Sequence, residues 1–302
     1  MTYWPLRGFF HRSEKDDFVG EQLEYFSSGK PKVKAVYVEG NKHGPYEQWN
    51  EAGQLVLQVP YTHGQVHGEW RAWHENGTPK DRFMFVEGKK EGWHRSWNEE
   101  GSLLFEVKYE KGMPEGFYRE WYAANNPKVI SHYSNGKYHG AVQEYYPSGQ
   151  LSLVAHYVDG ELDGEYRTYY EDGNFHKRYT YKNGVPVGIH YDYFPRNENE
   201  ENVIEAKVVR YNEQGELHGE QKSFYPDGKL QALLTYENGK LHGKKALLRS
   251  NGDFLEEASY SNGVLDGKYM LRQPNESEVI YHYKENVLNG LVFPKRYAIL
   301  FF

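Results

Sequence analysis

Glycine returns in this chain at a fixed interval, and that interval limits what the chain can fold into more than any other feature. Gly20, Gly44, Gly68, Gly92, Gly116, Gly140, Gly164 and Gly188 are spaced 24 residues apart, and steps of 31, 24, 24 and 23 lead on to Gly219, Gly243, Gly267 and Gly290. A period of that size, kept through most of 302 residues, describes stacked supersecondary units rather than a pair of compact domains. A further glycine stands four residues earlier in most copies, for example Gly64, Gly88 and Gly136, and another nine residues later, for example Gly53, Gly77 and Gly149. Three glycines per copy predict three places where the backbone takes a positive φ or runs close to a neighbour. The turn glycines Gly44, Gly68, Gly92, Gly116, Gly140, Gly164, Gly188, Gly219, Gly243 and Gly267 are therefore assigned a structural role.

Between glycines the pattern has period two. Leu55, Leu57, Val59 and Tyr61 alternate with mostly polar or smaller residues, as do Leu103, Phe105, Val107 and Tyr109. Such alternation is a strand with one buried face. The segment before it, Glu165–Tyr170 in one copy, is aromatic and β-branched and is followed by a Pro-Ser-Gly, Asp-Gly or Asn-Gly tip. Each copy thus predicts one β-hairpin, and the segment Tyr-x-x-Gly-x-x-x-Gly turns the chain into the next. The fold class is all-β: an elongated single-layer antiparallel meander of about twelve tandem hairpins, solenoid-like.

Composition fits a thin sheet. There are 28 Tyr and 31 Gly, and tyrosine can lay its ring over a neighbour while its hydroxyl stays in water. The net charge of −7 is spread over interspersed acids and bases, with no basic stripe evident along the chain. That argues against nucleic acid, whose phosphates need clustered cations. Cysteine is absent, which excludes disulfides and thiolate metal sites. No secretory or membrane-spanning apolar run is evident, so a cytoplasmic chain is expected, or an exported one whose leader has been removed.

Residues 1–17 fall outside the repeat and carry Trp4, Leu6, Phe9 and Phe10, the composition of an N-terminal cap over an open sheet edge. The hairpin array runs over 18–290, with a break of phase near 195–211. There an acidic, Asn-rich insertion at 196–202 lengthens a hairpin tip and one further residue enters the connector before Gly215. Such an insertion is either a tolerated surface loop or a contact for a partner. Residues 291–302, ending in Ile299-Leu300-Phe301-Phe302, are expected to form a C-terminal capping strand.

Histidine precedes the second glycine at His43, His67, His139, His218 and His242, but Glu91, Glu115, Asp163 and Asp266 hold the same place in other copies. Neighbouring copies lie two strands, roughly 10 Å, apart, too far for a shared ion with ligands about 2 Å away. A turn residue hydrogen-bonded to local backbone accounts for the column better. No Ser/His/Asp arrangement, phosphate loop or unique carboxylate pair is evident, so neither an enzyme nor a cofactor is expected.

An aromatic column five residues after the second glycine is the better candidate. It includes Trp49, Trp73, Trp97, Trp121, Tyr145 and Tyr169. These rings either pack on the glycines of neighbouring copies or form an open ladder that binds a partner, since Trp and Tyr dominate interface hot spots. A single layer with one apolar face also leaves that face to be covered by curling, by a second copy of the chain, or by a ligand.

The string Tyr-x-Asn-Gly-Lys-x-His-Gly at Tyr133–Gly140 and Tyr236–Gly243, followed by an aromatic pair and the tips Pro147-Ser148-Gly149 and Pro226-Asp227-Gly228, resembles the MORN-repeat variant family over roughly 18–290. The resemblance implies a stack of β-hairpins and a non-catalytic scaffold. Many bacterial members carry an antitoxin label, which implies a protein partner such as a toxin. Related MORN modules are associated with membranes, phosphoinositides and dimeric scaffolds. This chain departs from that form where Tyr46, Trp70 and Tyr118 stand two residues after the second glycine, which counts against lipid contact. The expected function is a protein-interaction scaffold working through its aromatic sheet face, with a homodimer compatible. The alternatives are an antitoxin or immunity protein and, in another class, a glycan- or anionic-lipid-binding module.

Overall fold

The computed structural model describes residues 18–196, 203–273 and 276–290, and the backbone of 293–294. The expected cap at 1–17, residues 197–202 of the insertion, and all but Phe293–Pro294 of the C-terminal segment lie outside the described residues. Every regular element among the described residues is a β-strand paired antiparallel with its neighbours in the chain. The chain divides into two compact units, one ending at Lys137 and one beginning at Tyr138.

In the first unit a representative hairpin joins strand Gly68–Trp73 to strand Pro79–Val86. In the second, Gly140–Tyr145 joins Leu151–Val158 in the equivalent register, Gly140 opposite Tyr157 and Tyr145 opposite Leu151. Most hairpin tips are three-residue loops, as where Gly53 donates its N–H to the Asn50 carbonyl at 2.9 Å and Asn50 donates to the Gln54 carbonyl at 2.9 Å. Gly53 has φ +87°, the left-handed position such a loop needs after its type I turn. In the copy without a third glycine, Asn125 takes that conformation at φ +62°, which asparagine tolerates. Connectors between hairpins are tighter, as at Asn135 (φ +50°) and Gly136 (φ +79°), the paired positive angles of a type I′ turn.

The lengthened copy keeps this register across its insertion. Gly188 lies opposite Tyr211 and Asp192 opposite Lys207, and Phe194 donates to the Ile204 carbonyl at 2.9 Å. The extra connector residue converts the next turn into a three-residue loop, with Asn212 bonded to Glu216 and Gly215 to Asn212.

Every described tip except the one between Val264–Arg272 and Glu278–Lys284 carries a register shift, and it corrects the simple alternation. Trp49 lies opposite Leu55 while Gln48 lies opposite Leu57, so the extra residue is a β-bulge. Leu55 therefore shares a face with Trp49, and Leu57, Val59 and Tyr61 line the other.

Among the described residues of each unit the strands touch extensively only their sheet neighbours, and no second layer of described residues covers either face. Only small side chains then reach full burial: Ala155 and Ala258 are 0 % exposed and Ser131 1 %. Each sits opposite a longer residue that shields it, Ser131 across from Tyr118 and Ala155 across from Val142. The rings on this face continue from strand to strand. Trp70 meets Phe83 at 4.7 Å, Phe83 meets His94 at 3.8 Å and His94 meets Phe105 at 4.6 Å. These contacts supply hydrophobic burial that a one-layer sheet otherwise lacks.

Candidate functional site

The predicted ladder lies on the face opposite those packed rings. In the first unit Trp49, Trp73, Trp97 and Trp121 stand across from Leu55, Pro79, Leu103 and Pro127. Tyr145 and Tyr169 hold the same place in the second unit, across from Leu151 and Phe175, with the Tyr169 and Phe175 rings stacked at 5.2 Å. All six are half-buried. A side chain added at the tip glycines Gly53, Gly77, Gly101 or Gly149 would meet open space. The rings stand over the proline or apolar residue that begins the returning strand.

Beside the tryptophans the register builds a feature that reading along the chain does not show. Gln58 pairs with Arg71, Arg71 with Arg82, Arg82 with Arg95, Arg95 with Glu106 and Glu106 with Arg119. Four arginines thus fall in one cross-strand row, which corrects the expectation that basic residues form no stripe. The 24-residue spacing of Arg71, Arg95 and Arg119 was the available signal. Two carboxylates divide the row's charge. Glu69 pairs with both Arg82 and Arg71, and these guanidinium hydrogen bonds, Arg82 foremost, hold its carboxyl below the usual carboxylate range. Glu106, itself buried, accepts from Arg95 Nε at 3.1 Å and Arg119 Nη1 at 3.2 Å.

Apolar groups lie exposed along this row. Met84, Trp93 and Phe117 are 41 %, 38 % and 49 % exposed. The Arg95 guanidinium sits 5.3 Å from the Trp93 ring and that of Arg119 5.0 Å from Phe117, a cation–π arrangement that holds each arginine extended. Trp73 and Trp97 open onto a common cleft of about 280 Å³ that Arg71, Pro79 and Arg82 complete.

The residues following the ladder tie successive copies together. Tyr146, Tyr170 and Tyr225 donate their hydroxyls to the carbonyls of Tyr169, Tyr193 and Leu248, each at 2.8 Å. The column before the second glycine does the same at the connectors: its side chains bond backbone, as expected of turn residues, but the backbone of the next copy's connector instead of their own. Nδ1 of His43, His67 and His242 accepts from the backbone amide twenty residues on, at 3.3–3.4 Å. The carboxylates of Glu91, Glu115 and Asp163 accept the equivalent bond at 2.8, 2.7 and 3.0 Å. Among the described residues no three His, Asp or Glu side chains are grouped so as to hold a metal ion.

One acid–base contact lies on the ring-packed face. His94 Nε2 is 3.4 Å from Asp81 Oδ1, and burial pushes the imidazole down to about 4 in spite of that carboxylate. The Ser96 hydroxyl donates to the Lys80 carbonyl at 3.2 Å instead of to His94. A Ser–His–Asp relay is not formed there.

Six stretches of the chain match the model of the MORN repeat variant: residues 18–39, 42–63, 66–86, 138–159, 162–183 and 217–238. Each spans one strand, tip and returning strand, so the matched unit is the hairpin. The copies between 86 and 138 that the model leaves unmatched keep the same construction, with Gly92 opposite Tyr109 and Gly116 opposite Tyr133. Among curated proteins none matches the chain.

Proposed function

We propose that this protein is a non-catalytic repeat scaffold that binds a protein partner through the ladder face of its first unit. The observation that carries this reading is the coincidence, on one uncovered face, of the Trp73–Trp97 cleft, the exposed Trp93 and Phe117, and the arginine row. Tryptophan and arginine are the side chains that most often dominate interface energy, and a site where they lie together and half-buried is already ordered before the partner arrives. MORN-variant repeats, which provide scaffold and interaction modules, suit such a role. Fold and repeat type do not by themselves specify the partner, so the proposal rests on the site.

The test is affinity capture of the tagged chain from its own source cells, beside the double variant Trp73→Ala/Trp97→Ala. One dominant protein held by the wild type and lost from the variant, with the circular dichroism spectrum unchanged, is the expected result. Equal retention by the folded variant would sink the site. Should the captured protein arrest growth when expressed alone, with co-expression of this chain relieving it, the narrower antitoxin reading would follow.

A further inference from the structure

The ring-packed face holds a second feature, unrelated to the ladder, that emerges when two copies are compared. In the copy around Gly92, Phe83, Phe85, His94 and Tyr109 cluster, with Phe83 and His94 3.8 Å apart and His94 and Tyr109 6.4 Å apart. Lys90, two residues before the glycine, lays its ammonium 4.5 Å from the Phe83 ring and 4.9 Å from the Tyr109 ring. The copy around Gly44 does likewise, with Lys42 4.4 Å from Tyr46 and 5.1 Å from Tyr61. The chain thus twice places a cation in this position, and cation–π attraction accounts for it.

Around Gly188 the same cluster is rebuilt without the lysine. Tyr179, Tyr181, His190 and Tyr211 stand where Phe83, Phe85, His94 and Tyr109 stand in the earlier copy. Tyr179 and His190 stack at 4.5 Å, and His190 lies 4.9 Å from Tyr211. Pro186 occupies the lysine's place in the sequence. The short proline ring does not extend as far as a lysine stem, and a cavity of about 170 Å³ opens there, lined by these residues with Asp192 and Lys207. Tyr179 donates its hydroxyl to Asp192, so the carboxylate is turned toward the rings. His190 is buried, and burial holds its pKa below the ordinary imidazole value, so at neutral pH it adds no positive charge. We propose that this cavity in the second unit binds an alkylammonium cation, the side chain of a lysine on a partner protein or a small amine, held by Tyr179, Tyr181 and Tyr211 with Asp192 as counter-charge.

Two neighbours set the terms of recognition. Lys177 already lies 5.8 Å from the Tyr179 ring, and exposed Lys207 stands opposite Asp192 at the rim. Both repel a second cation, so the rings and the Asp192 carboxylate together must supply the attraction. Affinity should rise in the variant Lys207→Met.

The experiment is an NMR titration of the full chain, following the ring signals of His190 and Tyr211, with n-butylammonium against its uncharged counterpart n-butanol. Saturable shifts with the ammonium and none with the alcohol are expected. Pro186→Lys, which restores the chain's own cation, should weaken the ammonium response about tenfold or more. Asp192→Asn, which keeps the size of the side chain and removes its charge, should weaken it as well and serves where Pro186→Lys does not fold. Lys90→Ala should create the same response in the first unit. Tighter binding of N-acetyl-lysine N-methylamide than of tetramethylammonium would identify a partner's lysine as the occupant, and the reverse order a quaternary amine; either supports the site. Equal response to alcohol and amine, no saturable response in the wild type, or a response unmoved by both variants would overturn it. None of these outcomes depends on the tryptophan face.

Discussion

The Glu115 carboxylate accepts a 2.7 Å hydrogen bond from the backbone amide of Asn135, which has φ +50° in the next connector. That amide belongs to a left-handed residue of a type I′ turn and has no strand partner, so a side chain from the preceding copy satisfies it. The bond couples one repeat to the next at the turn, where a one-layer sheet has few other contacts. Glu115→Ala should lower stability by about 1 kcal/mol. His43→Ala, which removes a 3.4 Å contact to His63, should cost less, and urea unfolding of the two variants measures the difference.

His94 predicts a pH dependence. Burial depresses its pKa to about 4 from an ordinary 6.5. Between those values the unfolded chain holds a proton that the native chain does not, so stability falls as pH drops through that window and is unaffected by this group above it. The loss approaches about 3 kcal/mol at the acid end. His190 acts in the same direction, so the comparison is with His94→Gln, whose unfolding temperature should change less between pH 6.5 and 4. Parallel curves would refute the assignment.

Glycine is needed at Gly68 for two reasons. Its φ is +112°, and an added Cβ would come within 3.1 Å of Pro60 Cγ. Gly92 has φ +70° and nothing within 4 Å of such an atom. Gly68→Ala should therefore destabilise by about 2–3 kcal/mol and Gly92→Ala by about 1 kcal/mol. Thermal unfolding of the pair separates the backbone effect from the steric one.

Tyr170 offers a test of repeat coupling at the hairpin tips. Its hydroxyl donates to the Tyr193 carbonyl at 2.8 Å, so Tyr170→Phe removes one hydrogen bond and keeps the ring. A loss of about 1 kcal/mol is expected. Hydrogen exchange should show it as faster exchange in Gly188–Tyr193 and Phe175–Lys182, with the hairpins of the first unit unchanged.

Where prediction and structure part, the causes can be named. The alternation Leu55, Leu57, Val59, Tyr61 reads as one face, but the bulge at the tip transfers Leu55 to the side of Trp49. A bulge of one residue leaves no mark in a pattern of period two except at its own position. The aromatic residues two after the second glycine, Tyr46, Trp70, Tyr118 and Tyr166, build the packed face with their neighbours, whereas in the sequence the first three stand out only as departures from a motif. Their odd separation from the ladder places them on the opposite side of the strand, a signal that could have found them.

By itself the sequence determined the local structure of this protein: the 24-residue hairpin, its two kinds of turn and the glycines that must take positive φ. Each follows from residues within a few positions of one another, because turn geometry and strand alternation are short-range properties. Only the tertiary structure decided which side chains meet across strands. Arg71, Arg82, Arg95 and Arg119 form a row, and Tyr179, His190 and Tyr211 surround an opening where Lys90 fills its counterpart, because cross-strand register joins residues eleven or more positions apart. That register depends on the length of every loop between them.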